Sequence, residues 1–357
     1  MQHRIGARLG RAITMASLLG SLVVVALPAS GVSAATCLAT GALDRDGTAL
    51  TARMINPAAT VSGTVDATGC GVGVYFNQGA HGRVAGAEVF GARYYGVLVD
   101  GNNGHVVHVD VTKSTFHDVG DPTLTSARHG QGVAYRSFGA GSATGTVSLS
   151  RFWNFQETAI NMTGPGSTAT ASGNIVQGRG PNPVIAQNGI QVIFGAHGTV
   201  RANLISGLSY TGAQNLTGNG VLLAGGPIYN GDPTKGCLPS GCDYVTGVLV
   251  AGNVITGSDT GIVMFNADED FNPPSSPSAN VARGNVIHDR ALTNVNGWDV
   301  GLGVQEGIFA YGNADQIVNN VIGGRGYDQD FCGDAAICMA IDTAGAIDPF
   351  ISGNVVR

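Results

Sequence analysis

The sequence predicts an all-β chain, a single-domain right-handed parallel β-helix of about nine coils with an N-terminal cap segment. Three observations lead there. A small residue followed by an aliphatic one returns nine times, an asparagine followed by two apolar residues returns six times, and no long segment of 3.6-residue period follows residue 35.

Residues 244–266, YVTGVLVAGNVITGSDTGIVMFN, show the unit. Three short β-branched runs, 248–250, 254–255 and 262–265, are parted by turn residues, with Asn253 at one corner and Thr260 and Gly261 at another. Runs of that length bounded by Gly, Asn, Ser and Asp read as strands, and three strands with three corners make one coil. The small residue recurs at Gly73, Gly96, Gly132, Ala159, Gly189, Gly220, Gly261, Gly307 and Ala340. The corner asparagine recurs at Asn174, Asn203, Asn253, Asn285, Asn320 and Asn354. In four coils the gap is nearly constant: 159 to 174 is 15, 189 to 203 is 14, 307 to 320 is 13 and 340 to 354 is 14. The gaps 220 to 253 and 261 to 285, which are 33 and 24, mark inserted loops, and Glu88, Ser114 and Ser150 stand in for the asparagine in the first three rows. Asparagine tolerates the left-handed backbone of a sharp corner and its amide bonds from coil to coil, while a small residue lets the chain turn. Inward Val, Ile, Leu, Met and Phe then stack in rows that no single repeat buries alone.

Residues 1–35 read as an export signal: Arg4, Arg8 and Arg11, an apolar stretch to Leu27, and small residues at Ser33, Ala34 and Ala35 suited to cleavage. Thr36 before Cys37 departs from a lipoprotein signal, and no other segment is apolar enough to span a membrane. Residues 36–70, polar and irregular, are expected to cap the first coil, and residues 71–357 to form the solenoid, a rod about 40 Å long at the spacing of stacked strands. The pattern runs to residue 357 with no carboxy-terminal cap in view, so the last coil is a candidate surface for oligomerisation. Without the three signal arginines the charge is 15 minus 24, or −9, which argues against nucleic acid as a partner. Six cysteines in an exported chain allow fifteen pairings; the local choices are Cys37 with Cys70, Cys237 with Cys242 and Cys332 with Cys338. A zinc site is the alternative, but no C-x-x-C occurs.

Over residues 70–357 these rows resemble the right-handed parallel β-helix proteins, the pectate-lyase-like group that includes pectate lyases, polygalacturonases and other polysaccharide-active enzymes, a resemblance specific for fold. It implies a groove over the strand that starts at the small residue, walled by loops. By strand alternation the second and fourth residues after the small one point outward. That side carries Asp100, Arg136, Asn161 and Gln191 in coils two to five, and Phe265, Phe309 and Tyr311 in coils seven and eight. Polar groups for chemistry beside aromatics for stacking on sugar rings is the layout of a glycan groove.

Lyases of this fold use an Arg or Lys base, for which Arg136 is the best-placed candidate. Hydrolysis needs two carboxyl groups, which Asp100 with Glu157, or Glu306 with the loop of Asp268, Glu269 and Asp270, would supply. Those three loop acids are also the candidate calcium ligands, and calcium would let a negatively charged chain hold a polyuronate. The chain departs from the polygalacturonase set of paired aspartates and basic triplet, has no D-P-H motif, and shows no Ser-His-Asp or Cys-His arrangement. The expectation is therefore a secreted protein acting on extracellular polysaccharide as a lyase or glycoside hydrolase. A non-catalytic glycan-binding, adhesion or structural β-helix stands beside it.

Overall fold

A six-residue strand cannot bury its own apolar side, and in this computed structural model each such strand is covered by the equivalent strand of the next coil. The structure describes residues 36–214, 216–229, 242–289, 303–333 and 336–357; the expected export signal and Cys237 lie outside them. The described strands belong to one compact unit, Ala34–Arg357. Among the described residues no helix is long and apolar enough to cross a membrane.

The chain is a right-handed parallel β-helix with three faces. On the first face Ala49–Ile55, Val72–Phe76, Tyr95–Asp100, Gln131–Arg136, Thr158–Thr163, Asn188–Ile193, Asn219–Gly225, Thr260–Asn266, Gly303–Tyr311 and Ala336–Asp342 run parallel. The second face runs from Val106–Thr112 to Phe350–Ser352 and the third from Thr115–Val119 to Val355–Val356. The long strand His81–Phe90 pairs with the first members of both, Val106–Thr112 and Thr115–Val119. Ile190, Val221, Ile262 and Ile308 lie in one column, register partner to register partner, and all are fully buried.

Two corner devices hold the coils in register. The amide Nδ2 of Asn174 donates to Oδ1 of Asn203, and the same bond repeats from Asn203 to Asn253, Asn285, Asn320 and Asn354 at 2.9 or 3.0 Å. Each Nδ2 also donates to a carbonyl in the preceding coil, as Asn253 does to Val200, so no buried amide atom is left over. The left-handed backbone falls one residue earlier than expected, at Leu149, Gly173, Ala202, Gly252, Gly284, Asn319 and Gly353. The asparagine itself serves the ladder. Ser150 and Ser114 extend it as predicted, but in the first row Ala87 occupies the place: its N–H donates to Ser114 Oγ, and Glu88 pairs with Thr115 one step beyond the corner.

The small residue opening each first-face strand also has a reason other than turning. A Cβ on Gly220 would stand 2.5 Å from the Gly261 carbonyl oxygen and 2.6 Å from Ile255. The next coil's backbone and the inward side chain fill that space, so size rather than left-handed backbone excludes larger residues.

Residues 36–70, read above as irregular, form strands. Leu38–Leu43 pairs antiparallel with Ala49–Ile55, which joins the first face, and Val61–Asp66 runs parallel to the long strand His81–Phe90. Cys37–Cys70 and Cys332–Cys338 are disulfides, and Cys242 is disulfide-bonded while its expected partner Cys237 lies outside the described residues.

Replacing Asn253 by Ala strips the Asn203 N–H and the Val200 carbonyl of their buried partners. The expected loss is about 2–4 kcal/mol in a urea titration. A parallel corner carries Asn280 and then Asp315, whose Oδ1 accepts from the Asn280 N–H while Oδ2 has no partner. Burial pushes the Asp315 carboxyl up to about 7, against the hydrogen bonds from Asn280. Its folded pKa exceeds its unfolded one, so stability is full below the unfolded value and is lost as pH rises toward about 7. Asp315→Asn should therefore raise the melting temperature at about pH 8 and leave it unchanged at about pH 3.

Candidate functional site

On each first-face strand the second and fourth residues after the small one do point outward. The residue before it points outward too, because the small residue and its successor both face the interior: a Cβ on Gly132 would meet Phe152, and Val133 is fully buried. That local irregularity adds Tyr95, Gln131, Asn188, Asn219, Thr260 and Glu306 to the outer side of the face, a row that strict alternation misses. The connections entering and leaving these strands flank the face on its two margins.

The polar end is occupied. The turn at residues 44–48, between Leu38–Leu43 and Ala49–Ile55, lies over coils two to four. Arg136 Nη2 donates to Asp100 Oδ2 at 2.6 Å and Nη1 to the Leu43 carbonyl at 3.0 Å. Tyr75 donates to Asp100, and Tyr95 to Asp44. Arg45 Nη2 donates to Glu157 Oε1 at 2.8 Å, while Gln131 donates to the other oxygen at 2.9 Å. Asp100 and Glu157 are each 3 % exposed, so neither meets solvent. Burial opposes the charge of Arg136, but Tyr95 and the contacting Asp100 carboxylate outweigh it and raise the guanidinium above its usual value. A base must lose its proton, and this arginine is held the other way. Here Arg136, Asp100 and Glu157, expected as catalytic, form a buried ion-pair network that fastens the amino-terminal turn.

In the middle of the face Asn161 Nδ2 donates to Gln131 Oε1, and Asn161 Oδ1 has no partner. Gln191 is 5 % exposed, and its amide makes no hydrogen bond among the described residues.

The far end gathers rings and acids. Phe265 stacks at 5.5 Å from Tyr311 and 6.4 Å from Phe309, which lies 6.2 Å from Tyr311. Tyr229 and Phe194, from connections rather than strands, continue the row at 6.4 and 5.2 Å. Neither has a strand position, so the repeat pattern gives no sign of them. One residue before Gly307, Glu306 points outward and hydrogen-bonds to Asp342 on the neighbouring strand. Burial and then the charge of Asp342 push the Glu306 carboxyl up to about 8, against a hydrogen bond from Thr260. The expected partners of Glu306 were the loop acids; the actual one is Asp342, the second residue after the small residue Ala340.

Asp268 accepts from the N–H groups of Asp270 and Asn272 and from the Asn272 amide. Glu269 and Asp270 point into solvent, and among the described residues no group of three His, Cys, Asp or Glu side chains converges to hold a metal ion.

The fold and this outward side define a parallel β-helix with one occupied and one open end to its first face. No protein-family model and no curated protein matches the chain. Among solved structures it is similar to the tailspike protein of E. coli bacteriophage HK620 in complex with pentasaccharide, with TM-score 0.35 and 11% identity over 86% of this chain and 59% of that one. A mutant of that tailspike, also in complex with pentasaccharide, gives TM-score 0.39 and 10% identity over 84% and 54%. The likeness concerns the fold, and the chain spans little more than half the length of the tailspike chains it matches.

Arg136→Ala would leave Asp100 buried without its cation and release the turn at Leu43. The expected cost is about 3–5 kcal/mol by chemical denaturation, a fold effect that a surface catalytic residue would not show.

Proposed function

We propose that the first face holds an extracellular polysaccharide along its aromatic end, and that protonated Glu306 gives its proton to a glycosidic oxygen. The observation that carries this is a carboxyl pushed up to about 8, hydrogen-bonded to a second carboxyl, on the strand that also carries Phe309 and Tyr311 of the ring row. A carboxyl that keeps its proton at neutral pH is a general acid; as that proton reaches the glycosidic oxygen the bond to the anomeric carbon breaks, and water adds to that carbon while its proton passes to the Asp342 carboxylate. Sugar rings lay their C–H faces on Phe265, Phe309 and Tyr311, while the Asn161 Oδ1 and the Gln191 amide bind hydroxyls farther along. The entering glycosidic oxygen replaces the hydrogen bond between Glu306 and Asp342 and parts the two carboxyls, since glycosidases set theirs about 5 Å or more apart. Elimination from a uronate is less well supported, because Arg136 is fully charged and covered. The disulfides suit an oxidising compartment, in keeping with export by residues 1–35.

A non-catalytic glycan-binding role is the second reading. It is favoured by the fate of Asp100, Arg136 and Glu157, which are spent in ion pairs and leave a face of rings and amides.

If Glu306 is the acid, hydrolysis followed by reducing-end release declines above about pH 8, where the carboxyl ionises. Glu306→Gln should lower the rate about 10²–10⁴-fold with substrate affinity kept, and Phe309→Ala should weaken binding about tenfold. Polysaccharide bound by the wild type without any release of ends, across acidic and neutral polymers, sinks the catalytic reading and leaves the binding one.

A further inference from the structure

A second ring column stands on the outside of the third face. Phe90, His117 and Trp153 are register partners in three successive coils. Their rings stack nearly parallel, Phe90 on His117 at 5.2 Å and 8° and His117 on Trp153 at 4.7 Å and 3°. The imidazole is fixed in the column by Glu88 and Asp118, whose oxygens lie 3.3 and 2.7 Å from its two nitrogens. The next position in the column is Gln177, so the aromatic run stops at Trp153. Trp153 is 37% exposed, and a cleft lined by Trp153, Asn154, Gln177, Gly178 and Arg179 opens beside it.

The rim of that cleft is polar and preset. Arg179 is tied down through Nε to the Phe155 carbonyl and through Nη2 to the Asn154 carbonyl, which leaves Nη1 free. Asn154 donates its Nδ2 to Asp118, leaving its Oδ1 as an acceptor, and the exposed Gln177 amide has no partner among the described residues. We infer that this cleft is an accessory binding site for one pyranose ring of a polysaccharide. The ring continues the stack on the indole, with its hydroxyls or carboxylate met by Asn154, Gln177 and Arg179. A nucleobase would satisfy the stacking alone, but a phosphate polymer meets Glu88, Asp118 and a chain of net charge −6. The site lies on a different face from Glu306 and Asp342 and needs no turnover. Its failure leaves the acid pair untouched, and the reverse holds as well.

The chain has two tryptophans, Trp153 and Trp298, the latter outside the described residues. In a Trp298→Phe background the fluorescence therefore reports Trp153 alone. Titration with alginate and hyaluronan as acidic polymers, and with dextran and xylan as neutral ones, should give saturable quenching with at least one. That quenching should persist when Phe309→Ala is added. In native gels containing the responsive polymer, Trp153→Ala should lose at least about tenfold in affinity, and Arg179→Ala should lose affinity for an acidic polymer. Gels without polymer and melting curves confirm that each variant folds, and Gln177→Ala replaces Trp153→Ala if the latter does not. Unchanged fluorescence with all four polymers overturns the site. So does quenching abolished by Phe309→Ala, or retardation that neither Trp153→Ala nor Gln177→Ala alters.

Discussion

The bond from one asparagine amide to the next, repeated from Asn174 to Asn354, is the constraint on which the rest of this molecule depends. It fixes where each coil turns, and because strand side chains alternate, a slip of one residue would exchange inside for outside. Once that register holds, Ile190, Val221, Ile262 and Ile308 fall into one column, and the outward residues fall into rows of their own. The aromatic row, the acid pair and the ring column on the third face are all consequences of that single alignment. The glycine column acts in the same sense by letting the next coil's backbone approach to where a Cβ would be.

Both ends of the first face carry ionisable groups, and their surroundings give them opposite fates. Asp100 and Glu157 each receive a guanidinium and further donors, so their charge is satisfied and they fasten a turn in place. Glu306 receives burial and a second carboxyl, and the cheaper state is to keep its proton. The same residue type is thus held by cations at one end and pressed toward its neutral form at the other. The difference lies in which neighbour arrives: an arginine, Arg45 or Arg136, or an acid, Asp342.

Asp315 shows a related effect in a corner. A carboxyl has taken a place in a ladder whose other member is an amide, and burial drives it toward the neutral form that most nearly imitates one. Stability then acquires a pH dependence from one atom, Oδ2, which finds no partner.

Composition and spacing alone determined that strands stack as coils, where Asn174 to Asn354 turn them, and which residues fill the column inside. Those features repeat, and a repeat is visible in one dimension. Only the tertiary structure decided that a non-repeating turn at residues 44–48 covers Asp100, Arg136 and Glu157, because its contacts bridge as many as 112 residues of sequence. It also decided that Glu306 meets Asp342 rather than Asp268, since the stacking of Ala336–Asp342 on Gly303–Tyr311 and not proximity along the chain brings the two carboxyls together.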